Sequence, residues 1–282
     1  MDELVFSKWS PGGNTTLFFP AGGIDERAQA RLARQALEEH CLGGEQAGFV
    51  NPGEGRLRMA GGEFCVNAAR AFGAFMALAE AEKSCPGTQS GQSGDGRESY
   101  YDARVSGWPT PLRLRVRGRL PLWDVEACLL LPHCPVENPG ADEYLVRLPG
   151  IAHLLLNADT HSFPDDYTAA AVHMRELRGI ADCAASGVVW WRKRQGRLEM
   201  IPLVHVRETR TTCLEHACGS GALALALLLS RLEGGHFFSI MQPGGSSLDV
   251  RLYGDGEDRT AAVSGPVSLV ARGCVWLSGE GA

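Results

Sequence analysis

The spacing of hydrophobic and polar positions changes repeatedly along the chain, and each change marks an element. Leu4 to Phe19 carries strand-type patches broken by Ser10-Pro11-Gly12-Gly13-Asn14, which predicts two strands joined by a turn. From Asp25 to His40 the period becomes helical, with Ala28, Leu32, Ala36 and Leu37 on one face and Glu and Arg opposite. Gly43-Gly44 ends that helix, and Ala47 to Val50 returns as a strand. Leu57-Arg58-Met59 predicts a short strand running into Gly61-Gly62-Glu63-Phe64-Cys65. A long helix of small residues follows over Val66 to Glu82, offering Ala69, Phe72, Phe75, Met76 and Ala79 for burial. Residues 83–98 are rich in Ser, Gly, Gln and Pro, a composition suited to a flexible surface loop.

Strands then resume, and past a boundary the second half repeats the plan. Leu112 to Val116 alternates cleanly and Val125 to Leu131 continues as a strand, with a domain boundary near Leu120. Strand patches around Ala152 to Leu156, a helix around Tyr167 to Leu177, and strands over Gly187 to Trp191 and Ile201 to Val206 come next. His216-Ala217-Cys218-Gly219-Ser220-Gly221 then opens a second small-residue helix, Ala222 to Glu233, which Gly234-Gly235 caps. Strand-like pieces run on to Leu277. Each half therefore offers strands, a glycine-containing turn with a cysteine, and an alanine-rich helix. The two cysteines lie about half a chain apart, a faint internal duplication.

Composition narrows the class. The chain has 282 residues, 44% hydrophobic and 21% charged, with a net charge of −6. That is the make-up of a soluble globular protein, with no pull toward nucleic acid or an anionic membrane. The longest apolar run, Ala222 to Leu229, falls far short of the roughly 20 residues that span a bilayer. Met1-Asp2-Glu3-Leu4 has no secretory pattern, so a cytoplasmic location is expected. Nine cysteines without a C-x-x-C pair argue against a disulfide framework or a zinc site, and most are expected to be buried thiols. The histidines, His133, His153, His161 and His173 among them, lack the tight spacing of metal ligands. Trp190-Trp191 reads as strand packing. Cys213 lacks the glycine turn and helix that follow Cys218.

Cys65 and Cys218 stand apart because each opens a helix. A thiol there feels the positive end of the helix dipole and unpaired amides, which predicts a pKa below the free value of about 8.5. The same amides suit a carboxylate. Two such starts facing each other would place one sulfur on either face of an amino-acid Cα. One thiolate could then remove the proton while the opposite thiol delivers another, inverting the centre without a cofactor.

Several blocks carry a family resemblance. Phe6 to Asn14, Gly44-Glu45-Gln46-Ala47-Gly48-Phe49, Met59 to Ala68, Ala217-Cys218-Gly219-Ser220-Gly221 and Gln242-Pro243-Gly244-Gly245-Ser246 resemble those of the diaminopimelate epimerase-like fold. Within it they are most similar to the histidine racemases of opine-metallophore biosynthesis. The resemblance implies an α/β (α+β) fold of two pseudo-symmetric domains, each a curled β-sheet around a central helix. It implies one domain over residues 1–119 plus 268–282 with Cys65, and another over 120–267 with Cys218. It also implies Cys65 and Cys218 as catalytic residues. Substrate contacts are implied at Asn14, Glu45, Gln46, Val66, Asn67, Glu208, Gly219 and Ser220, with no cofactor and no metal. Glu45 is the candidate for an α-ammonium or an imidazole, and Asn67 serves equally as a helix cap. Glu63 and Glu208 are by default surface carboxylates. Glu208 and Glu215, ten and three residues before Cys218, fall where the histidine racemases hold acidic residues. Val66 stands where the family has glycine, and Arg210 lies near the position of an arginine that holds a distal carboxylate.

Histidine is the leading small-molecule substrate, and a homodimer is left open. A diaminopimelate epimerase, or another epimerase or racemase of the fold, is the runner-up. A thiol-based redox or metal-binding protein without turnover is the third reading.

Overall fold

The computed structural model describes residues 2–84, 98–254 and 259–277; the loop expected over 83–98 lies almost wholly outside them. The strands in chain order are β1 (Asp2–Pro11), β2 (Thr16–Pro20), β3 (Gln46–Asn51), β4 (Arg56–Met59), β5 (Ser99–Val105), β6 (Leu112–Arg119), β7 (Leu122–Leu130) and β8 (Val136–Gly140). They continue as β9 (Glu143–Leu148), β10 (Ile151–Asn157), β11 (Ala185–Arg194), β12 (Arg197–Val206), β13 (Thr211–Leu214), β14 (Phe237–Met241), β15 (Ser247–Tyr253) and β16 (Thr260–Leu277). Among the described residues four helices interleave with them: α1 (Glu26–Leu37), α2 (Val66–Ser84), α3 (Tyr167–Leu177) and α4 (Gly219–Glu233).

β1 to β7 lie side by side, β7 pairs with β16, and β16 pairs back onto β1. These eight strands form a closed barrel around α2. On its other edge β16 continues through β15, β14, β12, β11, β10, β9 and β8, which curl around α4, with β13 added beside β12. The fold is thus mixed α and β, two sheet-wrapped helices joined by a shared strand. β16 can be shared because it is long: Thr260–Ser268 pairs with β7, and Val267–Leu277 pairs with β1.

Local sequence accounts for these elements. Leu112, Leu114 and Val116 of β6 face inward while Arg113, Arg115 and Arg117 face solvent, the period-2 pattern of a half-buried strand. α2, apart from the buried Arg70 and its charged C-terminal end, and α4 are mostly apolar or small, and both are buried along most of their length, as central helices require. A single apolar cluster runs through both halves and includes residues of both helices. α1 is amphipathic instead. Its Ala30, Leu32, Ala33 and Ala36 cover Leu17, Phe19, Ala47 and Phe49 on the outer face of the barrel. Its N-cap Asp25 accepts from the Ala28 amide at 2.9 Å, and it stops at Leu37, short of the expected His40. α3 does the same over Leu154, Leu156 and Val188. Trp190 points into that outer cluster and Trp191 into the central one, so the tandem packs both faces of β11.

The interior helices meet at their N-termini. A side chain at Gly219 would come within 2.9 Å of both Asn67 Oδ1 and Val66 Cβ, so only glycine lets α4 start against α2. α4 consequently begins at Gly219 rather than Ala222, with Cys218 as its N-cap. Gly219→Ala is expected to force the two helix starts apart. It should lower stability by about 1–3 kcal/mol despite alanine's better helix propensity, as read from denaturant midpoints.

Candidate active site

Cys65 and Cys218 occupy equivalent places. The Cys65 carbonyl accepts from Ala69 at 3.0 Å and its sulfur from the Ala68 amide at 3.3 Å. The Cys218 carbonyl accepts from Ala222 at 2.9 Å and its sulfur from the Gly221 amide at 3.3 Å. Each sulfur is therefore the cap of a central helix, and both thiols are buried, with 6% and 3% exposure. The junction between them is stitched by polar contacts. Asn67 Nδ2 donates to the Ala217 carbonyl at 2.9 Å, while its Oδ1 accepts from Arg70 at 3.0 Å. Gln242 Oε1 accepts from the Cys218 amide at 2.9 Å. The Pro11-Gly12-Gly13-Asn14 turn is held on the same junction, where the Ser246 hydroxyl donates to the Gly12 carbonyl at 2.6 Å and the Gly244 amide to that of His216 at 2.7 Å.

Gln46 and Glu215 connect the thiols. The Cys65 thiol donates to Gln46 Oε1 at 2.7 Å, and Gln46 Nε2 donates to Glu215 Oε1 at 2.7 Å. Glu215 in turn lies beside the Cys218 thiol. Beyond Cys218, the Ser220 hydroxyl lies 3.6 Å from its sulfur and 3.0 Å from His153 Nε2. A run of polar side chains, Cys65–Gln46–Glu215–Cys218–Ser220–His153, thus crosses the junction. Beside it sits a second carboxylate group. Glu45 accepts from Asn14 Nδ2 at 3.0 Å and pairs with the exposed His216 ring at 2.9 Å.

Electrostatics here run against the expectation from helix dipoles. Both thiols have pKa values well above the ordinary cysteine value, Cys65 and Cys218 alike, because burial disfavours the thiolate and the Glu215 charge repels it. The magnitudes decide the sign. A helix terminus contributes about 0.3–1 kcal/mol, up to about 2 in buried geometry, whereas full burial shifts a group by about 3–5 pKa units, or some 4–7 kcal/mol. Burial also pushes Glu215 up to about 8 and Glu63 up to about 7, and it raises Glu45. The His153 ring is driven down to about 3 and stays neutral.

The expected site residues divide accordingly. Cys65, Cys218, Asn14, Glu45, Gln46, Val66, Asn67, Gly219 and Ser220 gather at the junction. Val66 is buried against the start of α4, and Asn67 acts as the tie between helices. Glu208 does not join them. It lies exposed on the turn after β12, and Glu215 is the acidic residue that reaches the thiols. Glu63 is a correction of the opposite kind, since it is 4% exposed and accepts from the Gly61 amide at 2.9 Å. Arg210 sits on an exposed turn at φ 55°, beside a shallow cavity lined with Arg34 and Cys213 on the α1 side. Cys213 contacts the Glu45 backbone at 3.7 Å rather than the paired thiols. Sequence reasoning passed over His153, His216 and Arg70. His216 stood next to the second cysteine block, whereas nothing local marks His153.

A family model described as "Histidine racemase CntK N-terminal domain" matches residues 3–276. A protein named histidine racemase from Fusobacterium nucleatum subsp. nucleatum is 28% identical over 278 residues, covering 97% of each chain. Solved structures share the fold at low identity. A hydroxyproline epimerase from Agrobacterium vitis with bound trans-4-hydroxy-L-proline superposes with a TM-score of 0.62 at 11% identity, covering 99% of this chain and 94% of that one. A PhzF-family phenazine biosynthesis protein from Bacillus anthracis gives 0.63 at 11% identity, covering 98% and 100%.

The buried carboxylates fix how stability responds to pH. Glu215 and Glu63 hold protons in the folded state that they lose near 4.5 when unfolded, so stability falls as pH rises from there through about 7 to 8. His153, neutral when folded, costs stability in the opposite direction, as pH falls from 6.5 toward 3. Denaturant unfolding should therefore show a loss on the order of a few kcal/mol between weakly acidic and weakly alkaline buffer. Glu215→Gln is expected to remove a large part of that alkaline loss.

Proposed function

We propose, for a chain that belongs to the histidine racemase CntK N-terminal domain family, that Cys65 and Cys218 invert the Cα of free histidine without an organic cofactor. The chain is an isomerase, an amino-acid racemase. The observation that carries the two-thiol reading is the pair of capping sulfurs at the abutting starts of α2 and α4.

The chemistry follows from that pairing. A substrate carboxylate at the junction meets the first-turn amides of two helices, both presenting the positive end of a dipole. Its Cα then lies between the sulfurs. One sulfur, as thiolate, takes the α-proton. The other, as thiol, delivers its proton to the opposite face, so the enzyme ends with the two protonation states exchanged. Negative charge developing at Cα spreads into a carboxylate already hydrogen-bonded, and the dry surroundings strengthen that stabilisation. Glu45, paired with His216 and held by Asn14, is the group placed to receive the cationic end of the substrate. Histidine offers two such groups, an α-ammonium and an imidazole, which fits a carboxylate with a titratable partner. In the reducing cytoplasm we expect for this chain, the paired thiols stay available.

Proton NMR of the reduced protein in D2O, with a panel of L-amino acids that includes histidine and diaminopimelate, tests the reading. Loss of the Cα–H signal is expected for histidine alone. Cys65→Ala and Cys218→Ala should each lower exchange by at least about a thousandfold while the circular dichroism spectrum is unchanged. Full activity in either variant would falsify the two-thiol scheme, and exchange on diaminopimelate alone would reassign the substrate.

A further inference from the structure

The bridge between the thiols has a property that neither thiol has alone. An amide offers a donor at one end and an acceptor at the other. Gln46 turns its oxygen to Cys65 and its NH2 to Glu215. With that orientation Cys65 is a thiol, and Glu215 presents an acceptor oxygen that it can keep when it ionises. A thiolate at Cys65 would face the lone pairs of Oε1. Relief requires the amide to rotate, which turns its oxygen on Glu215 and is tolerable only if Glu215 carries a proton. Cys65 and Glu215 therefore cannot both be anionic. The same holds at Cys218, which lies beside the same carboxylate.

We propose that Glu215, once ionised, carries the single negative charge of the empty site, keeps both cysteines as thiols through Gln46 and by its place beside Cys218, and takes up a thiol proton when the thiolate forms. In that step the S–H bond of Cys218 breaks, an O–H bond forms on Glu215, and the electron pair stays on sulfur. The charge passes from carboxylate to sulfur without leaving the buried site. Glu215 acts through the thiols and is a positioning residue for the reaction proposed above, on which this inference rests.

The surroundings support a group that holds a proton as readily as it gives one up. Glu215 is anchored by its amide donating to the Pro202 carbonyl of β12 at 2.9 Å, and it is 2% exposed. The charges facing it are Glu45 and Glu63, which oppose its ionisation, with Gln46 donating to it and Cys218 beside it. His216 is paired with Glu45 and Arg58 with Glu26. With these neighbours its carboxyl titrates at about 8, below both thiols.

The signature is a gap between two pH curves. Thiolate ultraviolet absorbance of the empty enzyme, taken as the difference from the Cys65→Ser/Cys218→Ser double variant, reports ionisation of this pair. Cα exchange on histidine reports formation of the singly charged site. In the wild type, exchange should rise with a midpoint near the Glu215 value of about 8 while the pair shows no thiolate at that pH. In Glu215→Gln the charge has only sulfur to reside on. The thiolate midpoint should then fall and the exchange midpoint rise, each by roughly tenfold or more in proton concentration, until the two coincide. A misfolded or merely loosened site does not bring two curves together from opposite sides. Gln46→Met provides a second reading, with the thiolate midpoint of Cys65 falling while that of Cys218 holds. Wild-type thiolate rising together with exchange, or a thiolate curve unmoved by Glu215→Gln, overturns the proposal. If the wild type exchanges no Cα proton, the functional reading fails. The empty-enzyme curve still answers for Glu215, since a lowered midpoint in Glu215→Gln supports the proposal and an unmoved one overturns it.

Discussion

The architecture depends on the contact between the first turns of α2 and α4. Helix N-termini carry unpaired amides and repel one another as like partial charges, so two of them rarely abut inside a core without something to hold them. Here Gly219 removes the side chain that would collide with Val66, and Asn67 donates across the gap to Ala217. Arg70, fully buried, fixes Asn67 from behind while donating to the carbonyls of Val125 and Pro266. The chain that makes β7 and β16 therefore also sets the position of the helix start. A shared strand on one side and a shared polar tie at the centre hold the two halves in one register.

Placing two thiols in that junction has a cost that the dipoles cannot offset. Burial disfavours a thiolate more strongly than two helix ends favour it, and an adjacent carboxylate adds to the penalty. The empty site is thus a poor nucleophile. Under the two-thiol reading proposed above, the helix starts would provide selectivity for where negative charge is accepted once a substrate carboxylate replaces solvent there. The amides would then stabilise the ligand and the developing charge at Cα more than the resting sulfur.

Much of this was legible in the residue pattern. The small-residue helices after Cys65 and Cys218 are buried on all sides, and the glycine-cysteine turns that announced them are the turns that meet. β5, β8, β9 and β13 went unread for physical reasons. β8 contains Pro139 and is mostly exposed, β13 has four residues, and Tyr100 breaks the apolar alternation of β5 by facing solvent. The acidic residue beside the thiols was harder to assign. Glu208 and Glu215 are equally polar in sequence, and only the pairing of β13 with β12 turns the second inward while the first stays on the connecting turn. Gln46 and Glu215 lie 169 residues apart, so no local pattern could join them.

The Gln46 bridge also bears on why the two halves differ. A perfect duplication would give each thiol the same partner. Instead Cys65 meets an amide and Cys218 a carboxylate, with Ser220 and His153 behind it. His153 cannot carry charge at neutral pH in its dry pocket, so behind Cys218 it offers a fixed hydrogen bond and no second counter-charge. The asymmetry leaves one ionisable carboxylate between two thiols. That is the smallest set in which a single charge can be passed among the members without ever placing two anions side by side.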